Sequence, residues 1–306
     1  MSDFKIHILG CGSALPTLRH CPSSQIVEYR DKLFMIDCGE GTQLQLRRSR
    51  ISFNKITAVF ISHMHGDHCF GLIGMISTFG MLGRIAPLHI YAPIGLKELL
   101  TTQIEHFCYG LEYKIVFHDV DTTLQQIIYE DRRLTVTSIP LEHRVPCCGF
   151  LFSEKPSLPH IRRDMIDFYN IPVSQINNIK NGMSWTTPDG EIIPHERLTK
   201  PASQPRSYAY CSDTKYKKNL HEIVKGVTML YHEATYCDAD KDRARLYNHS
   251  TSVQAAQVAL DAGVEKLLIG HYSARYGDEE MIIKEAKNVF PKTEAANEMR
   301  QIYGIS

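Results

Sequence analysis

The sequence predicts an α/β protein in which two mixed β-sheets pack face to face with helices on their outer sides. Two observations carry this prediction. In each half of the chain short strand-like runs come first and helical periodicity enters later, the grammar of sheets packed against each other and covered by helices. The 306 residues, 43% hydrophobic and 22% charged, also have the balance of a chain that buries a core rather than a disordered or fibrous one. Lys+Arg and Asp+Glu both number 34, which excludes a strongly basic coat for nucleic acid.

Taken in order, Phe4 to Leu9 is a strand ending at Gly10-Cys11-Gly12. Gln25 to Tyr29 and Leu33 to Asp37 form a hairpin around Arg30-Asp31-Lys32, because both arms carry branched and aromatic residues and the link is short and polar. Ile56 to Ile61 is an apolar run that suits a buried strand, and Phe70 to Leu82 follows as a helix. In the second half Arg133 to Ile139, Gly149 to Phe152, Tyr208 to Cys211, Val227 to Tyr231 and Lys266 to Ile269 are strands. Ser252 to Ala262 is the clearest helix, with Val253, Ala256 and Leu260 on one face and Gly263 beyond its end.

One stretch breaks the rhythm. From Glu154 to Arg206 the chain carries Pro156, Pro159, Pro172, Pro188, Pro194, Pro201 and Pro205, with a charged helix-like piece over His160 to Tyr169. It reads as an insertion within one domain spanning 1–306, either a long surface loop or a functional arm. The nine cysteines are odd in number, scattered, and contain no CxxC pair, which points to a reducing compartment. The N-terminus does not read as a signal peptide, and no apolar run approaches the ~20 residues needed to cross a bilayer. The expectation is a cytoplasmic protein with no membrane partner.

The densest chemistry is Ser62-His63-Met64-His65-Gly66-Asp67-His68, directly after the Ile56 to Ile61 strand. Neutral imidazole and carboxylate are ligands of zinc and related first-row metals, and such groups are costly to bury without partners. Further ligand types stand at later strand ends: His143 in Leu-Glu-His-Arg-Val-Pro, Asp213 in Tyr-Cys-Ser-Asp-Thr, and His271 in Ile-Gly-His-Tyr-Ser.

His63-x-His65-x-Asp67-His68, with Asp37 in Ile-Asp-Cys-Gly-Glu-Gly, His143, Asp213 and His271, resembles the metallo-β-lactamase superfamily in order and context. Within it, His232-Glu233-Ala234-Thr235 and His249-Ser250-Thr251 resemble the HEAT and HST motifs of ribonuclease Z, the tRNA 3′-processing endonuclease family. Leu9-Gly10-Cys11-Gly12-Ser13 and Glu142-His143-Arg144-Val145-Pro146 match as well. The resemblance implies a four-layer αββα sandwich holding two Zn2+ per chain. His63, His65 and His143 would bind one ion, Asp67, His68 and His271 the other, and Asp213 would bridge them. Asp37 would orient a ligand histidine through a hydrogen bond.

For such a family member the reaction is attack of a metal-activated water on the phosphodiester after the discriminator nucleotide of a tRNA precursor, releasing the 3′ trailer. Asp67 would accept the water's proton, and His249, oriented by Glu233, would protonate the leaving 3′-oxygen. His249 and Glu233 are also compatible with pinning loops, because Ser250, Thr251 or Ser252 can cap the helix that follows. Arg275 would pair with a substrate phosphate. Arg47-Arg48-Ser49-Arg50, Arg162-Arg163 and Lys215-x-Lys217-Lys218 are basic patches available to RNA or to solvent. Residues 154–206 occupy the place of the family's exosite arm, and a homodimer is implied by resemblance alone. Pro16-Thr17-Leu18-Arg19-His20-Cys21 keeps only the proline of the PxKxRN loop common in bacterial members. Two other readings remain at this stage: a hydrolase of small phosphodiesters or sulfate esters on the same core, and a non-catalytic RNA-binding module.

Overall fold

The computed structural model describes residues 3–298 and 303–305. Its first sheet contains β1 (Phe4–Gly10), β2 (Ser24–Tyr29), β3 (Lys32–Ile36), β4 (Ile56–Phe60), β5 (Leu88–Pro93) and β6 (Ile115–Val120). The second contains β7 (Ile127–Glu130), β8 (Leu134–Pro140), β9 (Cys148–Glu154), β10 (Ser207–Cys211), β11 (Met229–Glu233), β12 (Lys266–Gly270) and β13 (Thr293–Ala295). A last strand, β14 (Tyr303–Gly304), returns to pair antiparallel with β1. The spatial orders are β14-β1-β2-β3-β4-β5-β6 and β13-β12-β11-β10-β9-β8-β7. Both sheets are mixed: β1, β2 and β3 alternate in direction while β3 to β6 run parallel, and β7 and β8 are antiparallel while β10 to β13 run parallel.

Because side chains alternate across a strand, each strand of the first sheet serves two layers. Leu33 and Met35 of β3, Val59 of β4, and Leu88 and Ile90 of β5 join Leu72, Met75, Ile76 and Phe79 of helix Leu72–Met81 and Leu96 and Leu100 of helix Leu96–Phe107. Phe34 and Phe60 point the opposite way and meet the second sheet. The Phe60 ring lies 5.5 Å from Phe150, 5.5 Å from Phe152 and 6.4 Å from Tyr129, and stacks on Tyr91 at 4.7 Å. On the far side, helices Ser252–Ala262 and Glu280–Val289 cover β11, β12 and β13. The arrangement is the expected αββα sandwich.

Helix Ser252–Ala262 has the bounds the sequence predicts. Thr251 caps it, its side chain taking the Gln254 N–H while the Gln254 side chain takes the Thr251 N–H, and Gly263 ends it at φ 62°. Helix Leu72–Met81 begins two residues later than Phe70, which is exposed. Strands β5, β6 and β7 and helices Leu96–Phe107 and Glu280–Val289 are additions to the elements read from sequence.

The chain divides into two compact units. The first comprises 1–130, 135–152 and 206–306, within the described residues, and the second 131–134 and 153–205. The second has its own small core of Ile171, Ile179, Ile193 and Leu198, with Ile161, Met165, Ile166, Tyr169 and Trp185 packed against it. The charged piece read as helical over His160 to Tyr169 is helical only at Arg163–Phe168. His160–Ile161 instead pairs antiparallel with Thr199–Lys200, which draws these residues into a strand. Helix Val173–Lys180 follows, and a two-stranded ribbon joins Trp185–Thr186 to Ile192–Ile193.

Phe60 carries the inter-sheet contact, so Phe60→Ala should remove about 3–5 kcal/mol of stability. Urea unfolding monitored by circular dichroism reads this as a lowered midpoint; an unchanged midpoint would remove Phe60 from the centre of the sandwich.

Candidate active site

The chemistry-bearing side chains gather where strands of both sheets end. Asp37 follows β3, Ser62 to His68 follow β4, His143 follows β8, Asp213 follows β10, Glu233 ends β11, and His271 follows β12. Parallel register sets the last three on neighbouring strands, with Cys211 beside His232 and Glu233 beside Gly270. Asp37, Asp213 and His271 all adopt left-handed backbone, at φ 54°, 59° and 62°. Such conformations cost a non-glycine residue about 1–3 kcal/mol and concentrate at functional sites. Here each one turns a side chain inward just as the chain leaves its strand.

Asp213, 2% exposed, lies at the centre. Its Oδ1 is 3.1 Å from His271 Nε2 and 3.3 Å from His68 Nε2; its Oδ2 is 3.6 Å from His63 Nε2 and 3.7 Å from His143 Nε2. The two oxygens of one carboxylate therefore address two different groups. In the first, His63 Nε2 and His143 Nε2 lie 3.1 and 3.2 Å from His65 Nδ1. In the second, Asp67 Oδ2 lies 3.4 Å from His68 Nε2 and 3.5 Å from His271 Nε2. All seven residues singled out as ligands from sequence fall into these two sets, which share Asp213.

The donors fit a divalent cation of the zinc type. The Nε2 atoms of His68 and His271 are buried and without hydrogen-bond partners, as befits lone pairs reserved for a metal. The opposite ring nitrogens are engaged, which fixes ring orientation. His68 Nδ1 is 2.7 Å from Asp37 Oδ2, His271 Nδ1 2.9 Å from Thr235 Oγ1, His143 Nδ1 3.0 Å from the Asn248 carbonyl, and His63 Nδ1 3.0 Å from Ser62 Oγ. Asp37 is held in turn by the Ser62 N–H at 2.8 Å and the Tyr210 hydroxyl at 2.7 Å.

Burial pushes the pKa of His63, His65 and His143 down, so each is a neutral donor. Burial also opposes charge on Asp213 and Asp67, but the histidines overcome it and hold both carboxyls below the usual carboxylate range. At His68 burial is outweighed by Asp213, Asp37 and Asp67, which raise its pKa. The same three carboxylates favour any cation at that point, proton or metal.

Glu233 and His249 form a second arrangement beside the first. Glu233 Oε1 accepts the Thr214 N–H at 2.8 Å and faces His249 Nδ1 at 2.9 Å, while Oε2 takes the Thr235 hydroxyl. Burial works against a charged His249, and the adjacent Glu233 carboxylate overcomes it, raising its pKa to about 9. The capping role open to the His249-Ser250-Thr251 segment falls to Thr251. That leaves the His249 ring 5.0 Å from the ring of His143 and 5.3 Å from that of His271.

A cleft of about 250 Å³ opens over these groups, lined by His65, Asp67, His143, Asp213, His249 and His271 and rimmed by Ser13, Ala14, Arg144, Tyr236, Tyr247 and Ser273. Arg275 is exposed and outside that lining. Among the residues lining the cleft Arg144 supplies a guanidinium, which lies 4.9 Å over the Tyr247 ring and donates to the Leu246 carbonyl. Its place beside His143 in sequence was the available signal. Lys215 and Lys217 are tied to Glu142 and the Pro140 carbonyl, and Arg162 to Asp164. Arg47 and Arg48 are exposed.

Sandwich and site together define a metal-using hydrolase of the metallo-β-lactamase fold. Solved structures agree on the fold: the short form of human tRNase Z (TM-score 0.70, 22% identity, 99% of each chain) and the metallo-β-lactamase fold protein YhfI from Bacillus subtilis (TM-score 0.67, 20% identity, 96% of this chain and 97% of that one). Residues 4–143 match the family described as anti-Pycsar protein Apyc1. The ribonuclease Z of Bacteroides fragilis is 57% identical over 298 residues, covering 97% of this chain and 98% of the relative. The chain belongs to the ribonuclease Z family.

Asp37→Asn keeps the shape of the group behind His68 and removes its charge. Metal affinity measured by competition with a chelator should fall about 10–100-fold; an unchanged affinity would show that His68 needs no such support.

Proposed function

We propose that this ribonuclease Z, a tRNA 3′-processing endoribonuclease, works with two zinc ions held at the two sets that share Asp213. One observation carries the reading: the two carboxylate oxygens of Asp213 face different histidine groups, as a bridging ligand requires. His63, His65 and His143 hold one ion and Asp67, His68 and His271 the other, with Asp37 orienting His68. Zinc held by these residues would supply Lewis-acid chemistry, polarising the scissile phosphate and lowering the pKa of water toward about 7.

The chain's own groups do the rest. Asp67 lines the cleft and accepts a hydrogen bond from the attacking water. The neighbouring histidines favour its charged form, the form able to take the proton that the water gives up as it attacks. His249, protonated through Glu233, donates to the departing 3′-oxygen. Arg144 at the rim, and Arg275 further out, receive flanking phosphates; the guanidinium fork suits that contact.

Residues 154–206 act as the arm that engages the body of the tRNA, supported by a core of their own. The protein is cytoplasmic, a reading supported by nine free cysteines; no helix among the described residues is long and apolar enough to cross a membrane. It works as a homodimer, supported by family resemblance and by exposed Leu44, Phe70 and Met81.

The test is cleavage of a labelled tRNA precursor by the zinc-loaded protein. It should cut after the discriminator, and His249→Ala should lower kcat about 10²–10⁴-fold. Because the imidazolium is the acid, activity should fall as pH rises through about 9. Glu233→Gln lets burial dominate and should move that limb to lower pH by about 1–3 units. An unmoved limb would take the proton donor elsewhere. Replacing residues 154–206 by a short linker should leave hydrolysis of a small chromogenic diester intact while weakening precursor binding at least about tenfold. Equal loss of both activities would contradict a separate RNA-engaging arm.

A further inference from the structure

A second cluster of titratable side chains lies apart from the seven ligand residues. The imidazole of His20, 6% exposed, sits between two carboxylates, with Nδ1 2.8 Å from Glu298 Oε2 and Nε2 3.0 Å from Glu279 Oε1. An ionised carboxylate only accepts hydrogen bonds, so both contacts exist together only when both ring nitrogens carry protons. Burial opposes that charge, and the two glutamates overcome it and raise the His20 pKa. Glu279 is also paired with Arg19, whose second guanidinium nitrogen donates to the Tyr276 carbonyl at 2.7 Å. Two cations thus face two anions, and the group is neutral only while His20 is charged. Burial and Glu298 push the neighbouring Cys11 and Cys21 thiols up, against Arg48 at Cys21, and the Tyr272 ring lies 5.4 Å from His20.

What these groups hold is one lip of the cleft. Glu298 Oε1 accepts the backbone N–H groups of Cys11 at 3.3 Å and Cys21 at 3.0 Å, so one oxygen ties both ends of the 11–21 segment. Ser13 and Ala14, inside that segment, line the cleft. Tyr272, next to His271, donates its N–H to the Cys11 carbonyl at 3.0 Å and accepts the Ser13 N–H at 3.1 Å. Glu279 stands further along the same stretch. His20 therefore joins three segments remote in sequence: the lip, the stretch after His271, and the stretch that carries Glu298.

We infer that His20 is a positioning residue whose imidazolium, clamped between Glu279 and Glu298, holds the Ser13–Ala14 lip against the His271 stretch and so sets the cleft for a bulky RNA. The RNA in this assignment rests on the ribonuclease reading above; the clamp does not. It acts through the lip and not on the reacting atoms.

The test compares the zinc-loaded protein with its His20→Gln variant, which loses the charge and can donate to only one of the two glutamates. Metal content and turnover of a small chromogenic phosphodiester should be unchanged, while KM for a tRNA precursor rises about tenfold. Adding Glu298→Gln should lower KM again, because it removes the buried charge that residue 20 no longer balances. Glu279→Gln, at the more exposed edge, serves as a second variant if His20→Gln does not fold, and should raise KM in the same direction. Nitrogen-15 NMR of the imidazoles of the unsubstituted protein at pH 7 should show both His20 nitrogens protonated. A neutral His20, an unchanged precursor KM, or parallel loss of metal and diester turnover overturns the clamp. Unsubstituted protein that turns over the diester but no precursor would overturn the ribonuclease reading, and the NMR result would still decide the clamp.

Discussion

The buried carboxylate of Asp213 is the constraint around which the rest of the site is arranged. An anion removed from water is costly unless it is paired, and this one meets its cost by drawing four imidazoles from three separate segments to its two oxygens. Those imidazoles cannot all be protonated without repelling one another, since their rings crowd to centroid distances such as 4.1 Å between His63 and His68. A divalent cation held there would resolve both problems together, by neutralising the anion and accepting the lone pairs of the neutral rings. The geometry is stable as a unit and unfavourable in fragments.

The sheets make this gathering possible. Neighbouring strands are spaced about 4.8 Å apart, so residues ending β10, β11 and β12 arrive side by side, and those ending β3 and β4 do so in the facing sheet. Tyr210 spans the sheets, reaching from β10 to Asp37 beyond β3. The packing of the two sheets and the orientation of His68 are consequently coupled: a shift between them would carry the Asp37 carboxylate off the ring it holds.

Much of this was legible in sequence because ligands are a property of residue type and place. His63, His65, Asp67 and His68 follow one buried strand, and His143, Asp213 and His271 each stand beyond an apolar run; the structure brings all seven together. Less visible were β5 and β6, where His89, Pro93, His118 and Asp119 interrupt otherwise apolar runs. His89 and His118 are tolerated there because His89 Nδ1 meets His118 Nε2 at 2.9 Å and Tyr91 stacks on His118. The left-handed backbone at Asp37, Asp213 and His271 left no mark, since nothing in an aspartate or histidine announces its φ. The pairing of His160–Ile161 with Thr199–Lys200 depends on a contact nearly forty residues away, which a local helical pattern cannot anticipate.

The electrostatics of His249 follow from the division of labour among the carboxylates. Asp67 and Asp213 also favour its charged form, but both face the ligand histidines, and cations held between them would oppose that help. Glu233 belongs to neither of the two sets that share Asp213; its oxygens are directed to His249, the Thr214 N–H and the Thr235 hydroxyl. Thr235 in turn faces His271 Nδ1 through the same hydroxyl. One buried glutamate thereby supports His249 on one side and, through Thr235, His271 on the other, so that the charge of one ring and the orientation of the other depend on a single side chain at the end of β11.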